Sequence, residues 1–166
     1  MLALTLVPGV RDTLELSQID EPEPRPSDLV AEVIALGICG TDREIAQGDY
    51  GSAPAGSDRL VLGHEALCRV LRAPPKSGWK VGDRFVPMVR HPDGRPCSAC
   101  AVDEWDMCRN GGFTEHGIKD RHGFGAERIA LDPSRCVRVP NGMGLNAVLL
   151  EPASILHRDG QVETHL

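Results

Sequence analysis

The chain has 166 residues, of which 41% are hydrophobic and 25% charged, as in a globular domain that buries its own core. Its formal net charge is −6 and no stretch is rich in Lys or Arg, which argues against nucleic acid as the main partner. No apolar run approaches the roughly 20 residues of a membrane span, and residues 2–7 are too short for a signal peptide. Six cysteines without a signal peptide predict a reducing, cytoplasmic location.

The predicted elements are many short strands and few helices. Alternating or continuous apolar runs predict strands over residues 1–7, 13–19, 29–36, 66–71, 84–89, 124–131 and 136–139. One short helix is predicted over residues 42–47, opened by Thr41 and ended near Gly48. Short strands at close spacing favour a mostly β, barrel-like domain.

Residues 91–123 interrupt this pattern, because they have no sustained periodicity and are rich in Gly, Asp and Cys. An irregular lobe is predicted there. It contains Cys97, Cys100 and Cys108 in close succession. Cys68 and Cys136 instead lie in strand-like runs and are predicted to be core residues.

Two turns marked by glycine carry residue types that bind first-row metals. Cys39 lies in Gly-Ile-Cys-Gly-Thr-Asp, and His64 and Glu65 lie in Gly-His-Glu. Zinc favours mixed sulfur and nitrogen ligands, and three protein ligands leave a fourth position for substrate. We therefore predict a metal site on Cys39 and His64, with Glu65 as a ligand or as a group that orients the site. The N-terminus of the following helix is expected to favour the Cys39 thiolate.

Each of these residues also has a simpler interpretation. Cys39 alone is more often a small buried hydrophobic residue, and a lone histidine in a turn often bonds locally. Glu65 would then be a solvated carboxylate. Asp42 either bonds to the backbone at the helix start or acts at the metal.

The motifs above, followed by Val-Gly-Asp-Arg at 81–84 and Leu-Glu-Pro-Ala-Ser at 150–154, resemble those of the zinc-containing medium-chain dehydrogenases. They occur in the same order as in that family over residues 1–155. Two stretches, Thr-Glu-His-Gly-Ile at 114–118 and Arg-His-Gly-Phe at 121–124, more narrowly resemble the archaeal-type glucose 1-dehydrogenase branch. The resemblance implies a GroES-like irregular β-barrel over residues 1–155, with a few short helices and the lobe at 91–123.

The resemblance also implies roles for single residues. It places a catalytic zinc on Cys39, His64 and either Glu65 or Glu151, with Glu151 also near the substrate. Thr41 resembles the hydroxyl residue that relays the substrate proton, although it could simply cap the helix. Glu115 matches a residue that grips sugar hydroxyls; the alternative is an exposed loop acid.

For the lobe, the resemblance implies a structural zinc that normally uses four cysteines. Cys97, Cys100 and Cys108 match the second, third and fourth positions, but Gly94 stands at the first. Because a structural zinc needs four ligands, Asp93, or less readily His91, would have to supply the last one. The alternative is a lobe held by its own packing, with three free thiols.

The relatives continue into a Rossmann domain that binds the nucleotide, and this sequence is not expected to contain one. The glycine pattern at 142–147 is interpreted as a turn, and residues 156–166 as a tail or as the returning terminal strand of the barrel.

The first hypothesis is the catalytic domain of a zinc-dependent NAD(P) sugar or polyol dehydrogenase, inactive by itself. Such a chain would self-associate or pair with a nucleotide-binding domain. The alternatives are a stand-alone zinc-binding GroES-like module without dehydrogenase activity, and a metal-free reductase of the same superfamily.

Overall fold

The computed structural model describes residues 1–102, 104–140 and 142–154, so the predicted tail or terminal strand at 156–166 lies outside the described residues. Eleven strands are found there: β1 (Leu2–Leu6), β2 (Glu15–Gln18), β3 (Leu29–Gly37), β4 (Leu60–Val61), β5 (Glu65–Arg72), β6 (Arg84–Pro87), β7 (Arg90–His91), β8 (Thr114–His116), β9 (Asp120–Arg121), β10 (Arg128–Leu131) and β11 (Cys136–Arg138). The helices in the same residues are α1 (Gly40–Ala46), 3₁₀ turns at Cys100–Val102, Trp105–Met107, Pro133–Arg135 and Gly144–Leu149, and helical residues at 150–154. None of the described helices has the length and apolar character needed to cross a membrane.

The described strands form three sheets. The first has the order β2-β1-β4, the second β10-β3-β5-β6-β11, and the third β7-β8-β9. All pairs are antiparallel except β8 with β9, which is parallel. The prediction of a mostly β fold is therefore confirmed, although none of the three sheets closes into a barrel within the described residues.

The chain divides into two compact units. The first contains Met1–Asp20, Ile38–His64 and Val89–Ala126. Its core is a cluster of five buried side chains: Leu6, Ile45, Leu60, Leu62 and Ile118. The predicted lobe belongs to this unit, and its elements are two 3₁₀ turns and the three short strands β7, β8 and β9.

The second unit contains Glu21–Gly37, Glu65–Met88 and the described residues of 127–154. Its core cluster consists of Leu67, Val86, Val139 and Ala147. The longest strand, β3, pairs with β5 in a register that places Gly37 opposite Glu65, with irregularities at Val30/Ala31 and Val33/Ala35. Glu65 is therefore the first residue of β5 and lies opposite the last residue of β3.

The strand predicted over residues 13–19 exists, but its apolar side chains are not buried. Leu14 and Leu16 are 44% and 66% exposed. The reason is topological, since β2 is an edge strand that pairs only with β1 in the described sheet. Alternation predicted the strand correctly without showing what covers its apolar face.

Candidate metal centre

Cys39 is held at the start of α1. It is the residue that caps the helix, and the carboxylate Oδ2 of Asp42 accepts the Cys39 backbone N–H at 2.9 Å. The helix therefore begins at Gly40, two residues before the predicted start, and Thr41 lies inside its first turn rather than at the cap. The predicted cap was wrong because the acid at the third helical position stabilises the earlier start.

His64 follows a glycine turn that the surrounding backbone encloses. Gly63 has a φ of +94°, and its carbonyl accepts the backbone N–H of Phe124 at 2.8 Å. A Cβ on Gly117 would lie 2.5 Å from the Gly63 carbonyl oxygen, and one on Gly123 would lie 2.3 Å from it. Close backbone packing therefore fixes the turn that presents His64.

The side chains of Cys39 and His64 meet. The Sγ of Cys39 lies 3.2 Å from Nε2 of His64. At tetrahedral angles, zinc bonds of about 2.3 Å to sulfur and about 2.1 Å to nitrogen would separate the two atoms by about 3.6 Å. The observed separation therefore fits the two residues as neighbouring ligands of one ion.

Asp42 stands on the other side of the imidazole. Its Oδ1 lies 3.4 Å from Nδ1 of His64, and the side chains are 1% and 7% exposed. A histidine that ligates a metal through one nitrogen commonly has its other nitrogen facing a carboxylate, which orients the ring. The sequence predicted for Asp42 either a bond to the backbone or a role at the metal. The contacts show that Asp42 accepts a backbone N–H and also faces His64.

Glu65 completes the group. Its carboxylate lies over Gly37, where a Cβ would come within 2.2 Å of Oε2, so only glycine leaves it room. The ligand atoms of Cys39, His64 and Glu65 all lie within 4.8 Å of one another. One sulfur, one nitrogen and one carboxylate oxygen make a donor set that suits a catalytic zinc with an open fourth position.

Burial dominates the protonation of the Cys39 thiol. It raises the pKa of the Cys39 thiol, although the backbone N–H groups of Asp42 and Thr41 and the Thr41 hydroxyl act in the opposite direction. The expectation that the helix start would favour the thiolate is therefore outweighed in the metal-free protein. A bound metal ion reverses the balance, since a coordinating thiol loses its proton.

Burial acts on Asp42 as well, but here it does not prevail. It favours the neutral acid, whereas His64 and the Cys39 N–H favour the carboxylate and leave the pKa of Asp42 below its ordinary value. An ionised Asp42 therefore faces His64 at neutral pH.

The remaining predicted residues of the catalytic site are placed as follows. Thr41 is partly buried in the first turn of α1. Glu151 is partly buried in the helical residues 150–154 and is not a member of the three-residue group, so its role as a ligand stays a prediction. Glu115 is in β8 and only 8% exposed, unlike the exposed loop acid that was the alternative.

The lobe brings its three cysteines together. The ligand atoms of Cys97, Cys100 and Cys108 lie within 4.8 Å of one another, and the sulfurs of Cys97 and Cys100 are 3.7 Å apart. Backbone N–H groups, first that of Arg109 and then that of Cys100, lower the pKa of Cys97 to about 6.

Asp93 is not a member of this cysteine group among the described residues. Its Oδ1 accepts the Arg95 backbone N–H at 2.8 Å, and its carboxylate lies where a Cβ on Gly112 would be. Its role as the fourth ligand stays a prediction.

Two features of the lobe were not predicted from the sequence. Arg90 forms an ion pair with Glu115, directly opposite it on the neighbouring strand. His116 is buried, its Nδ1 lies 2.6 Å from the His122 carbonyl oxygen, and burial lowers its pKa to about 3. The strand register brings Arg90 opposite Glu115, 25 residues further along the chain, and the contact of His116 depends on the loop at His122.

Comparisons with known proteins identify the family of this fold. A family model described as the alcohol dehydrogenase GroES-like domain matches residues 25–141. The chain belongs to this family. Its GroES-like fold thus agrees with the resemblance that the sequence motifs indicated.

The relatives extend the comparison. The chain is 40% identical over 159 residues to a glucose 1-dehydrogenase of Thermoproteus tenax, covering 95% of this chain and 44% of the relative. It is 38% identical, with the same coverage, to a glucose 1-dehydrogenase of Methanocella arvoryzae. The GroES-like domain described here thus spans less than half the length of these relatives.

A solved structure shows the same fold. The glucose dehydrogenase of Haloferax mediterranei, in complex with NADP, Zn and gluconolactone, superposes with a TM-score of 0.84 at 32% identity. The match covers 95% of this chain and 44% of that one.

Proposed function

We propose that this chain is the zinc- and substrate-binding catalytic domain of an NAD(P)-dependent sugar or polyol dehydrogenase of the glucose 1-dehydrogenase type. The observation that carries the proposal is the buried group of Cys39, His64 and Glu65 with Asp42 behind the imidazole. The similarity to glucose 1-dehydrogenases over 95% of the chain supports the choice of substrate class.

Each residue then has a distinct task. Cys39, His64 and Glu65 hold the zinc, and Asp42 orients His64. When bound, zinc supplies the positive charge that lowers the pKa of a substrate hydroxyl. Thr41 offers a hydroxyl beside Cys39 to pass on the substrate proton. Glu115 and Glu151 are proposed to accept hydrogen bonds from substrate hydroxyls, as carboxylates do well.

The proposal includes the partners and the location. The ligand is a sugar or polyol, the hydride acceptor is NAD(P), and neither nucleic acid nor a membrane takes part. The nucleotide would be held by a separate nucleotide-binding domain, because hydride transfer needs the two carbons close together. The chain alone is then inactive and self-associates or pairs with such a domain. We propose a cytoplasmic location.

A fusion protein tests this proposal. The chain would be joined to the part of the Thermoproteus tenax relative that it does not cover, and NAD(P) reduction followed with D-glucose, D-galactose and xylitol as substrates. Zinc content would be measured on the chain alone and on the fusion. We expect sugar-dependent reduction in the fusion, loss of it in His64→Ala, and none in the chain alone.

The same experiment distinguishes the alternatives. Bound zinc without activity in the fusion would favour the stand-alone zinc-binding module. Less than about a tenth of an equivalent of zinc, after purification without chelator, would favour the metal-free reductase. Arg69→Gln is the matched control, because Arg69 pairs with Glu32 on an exposed part of the sheet.

A further inference from the structure

The pair formed by Arg90 and Glu115 has an unusual geometry. The two residues lie directly opposite each other on β7 and β8. The Nε and Nη2 atoms of Arg90 are each 2.8 Å from the same carboxylate oxygen, Oε1 of Glu115. The arginine therefore engages one oxygen twice instead of using its two N–H groups on the two oxygens.

The arginine is itself held in place. Its guanidinium carbon lies 4.2 Å from the ring centroid of Phe113, and the Nζ of Lys119 lies 4.1 Å from the same centroid. The Lys119 ammonium also donates to the Gly111 carbonyl. Stacking on an aromatic ring restricts the guanidinium plane, so the direction of its N–H groups toward Glu115 is fixed.

This arrangement leaves the second oxygen of Glu115 for another partner. Although Glu115 is 8% exposed, the described residues provide no hydrogen-bond donor for its Oε2, and that atom is not among those sealed from solvent. A carboxylate oxygen in a largely buried side chain is stabilised by a hydroxyl donor. The Oε2 atom is therefore an acceptor open to a ligand.

The acceptor lies close in the chain to the turn of the candidate metal centre. Glu115 is two residues before Gly117, and Gly117 packs against the backbone of Gly63. Gly63 immediately precedes His64. The strand that carries Glu115 thus ends against the turn that carries a candidate zinc ligand.

We infer that Arg90 is a positioning residue for substrate recognition, because it holds Oε1 of Glu115 and presents Oε2 to the hydroxyl groups of a neutral sugar or polyol. The inference rests on the proposed function and adds to it the residue that orients the acceptor. Arg90 and Glu115 neutralise each other, so the pair provides no net charge to attract a sugar phosphate or a sugar acid. The pair instead provides a hydrogen-bond acceptor, Oε2 of Glu115, for a hydroxyl group.

Binding measurements on the zinc-loaded chain test this inference. The dissociation constant of D-glucose would be measured by calorimetry for the wild type, Arg90→Gln, Glu115→Gln and the double variant. We expect each single change to weaken glucose binding about tenfold. The double variant should bind no more weakly than either single variant, because both changes remove the same oriented acceptor. Arg90→Lys should lose less, since lysine keeps one donor.

Further measurements separate positioning from folding. Zinc content and melting temperature should stay close to the wild type in every variant used, and Arg69→Gln should bind glucose normally. If Arg90→Gln does not fold, Arg90→Lys and Phe113→Leu replace it, with Phe113→Leu expected to weaken binding about threefold. The wild type should bind neither a sugar phosphate nor gluconate more tightly than D-glucose.

The outcomes distinguish the inference from the proposed function. If Glu115→Gln weakens glucose binding and Arg90→Gln, or Phe113→Leu where Arg90→Gln does not fold, leaves it unchanged, Arg90 has no positioning role, while the sugar dehydrogenase proposal stands. Multiplicative losses in the double variant would likewise overturn the positioning role. If the zinc-loaded wild type binds no sugar or polyol at all, the proposed substrate class fails, and the inference fails with it.

Discussion

The two groups of candidate metal ligands are built in opposite ways. Cys39 caps α1 and is partly exposed, whereas His64 directly precedes β5 and Glu65 begins it, with only 5% and 6% exposure. The three lobe cysteines come from a segment with short 3₁₀ turns, and all are partly exposed. The first group combines three donor types, whereas the second offers only sulfur.

The difference shows how each group controls its thiols. Burial raises the pKa of Cys39, so the buried group keeps its proton until a metal replaces it. Backbone N–H groups lower the pKa of Cys97 to about 6, so this lobe cysteine is mainly a thiolate at neutral pH without a metal. A mixed, buried group with an aspartate behind the imidazole suits a reactive ion, and an all-sulfur group suits a structural one.

The largest expected effect comes from removing a ligand of the buried group. In Cys39→Ala or His64→Ala, the affinity for zinc at this site should fall by at least about a thousandfold, because two protein ligands rarely retain the ion. Competition with a chelator, together with zinc content per chain, measures the change. Zinc held by the lobe should be unaffected.

Cys68→Ala is the control, since Cys68 is fully buried in β5 and belongs to neither group. It should lower stability without changing the zinc content. If His64→Ala bound zinc as tightly as the wild type, the ion would be bound elsewhere. The group of Cys39, His64 and Glu65 would then not be the zinc site.

Local patterns predicted much of this contrast. The apolar run before Gly37 predicted β3, and the two glycine turns predicted the ligands that the structure brings together. The helix start was missed because cysteine is an uncommon cap, and its bond from the Cys39 N–H to Asp42 depends on three-dimensional geometry. Arg90 and Glu115 were not predicted as a pair, since they are 25 residues apart and only the strand register joins them.

A smaller effect on zinc affinity is expected when the Asp42 carboxylate, which faces His64, loses its charge. Asp42→Asn keeps an oxygen for the Cys39 N–H but removes the negative charge that faces Nδ1 of His64. Zinc affinity at the buried site should fall about 10–100-fold, the usual range for partners of metal ligands. Asp83→Asn is the matched control, because Asp83 also accepts a backbone N–H, that of Lys80, and belongs to neither group. Equal zinc affinity in Asp42→Asn and the wild type would show that His64 needs no acid behind it.

The smallest expected effect is a difference in thiol reactivity in the metal-free chain. With a pKa of about 6, Cys97 is mainly thiolate at pH 7, whereas burial keeps Cys39 protonated beyond the ordinary thiol range and holds the pKa of Cys136 at about 12. Iodoacetamide should therefore modify Cys97 about tenfold faster than Cys39 at pH 7, even after allowance for the weaker nucleophile. Mass spectrometry of timed digests measures each site.

The pH dependence provides the sharper test. The Cys97 rate should level off above about pH 7, because ionisation is then complete, while the Cys39 rate should still rise through pH 9. Added zinc should protect Cys39 and the lobe cysteines but leave Cys136 unchanged. Equal rates and parallel pH profiles for Cys97 and Cys39 would mean that burial and backbone N–H groups do not set the two thiols apart. The two groups would then differ in their ligands alone.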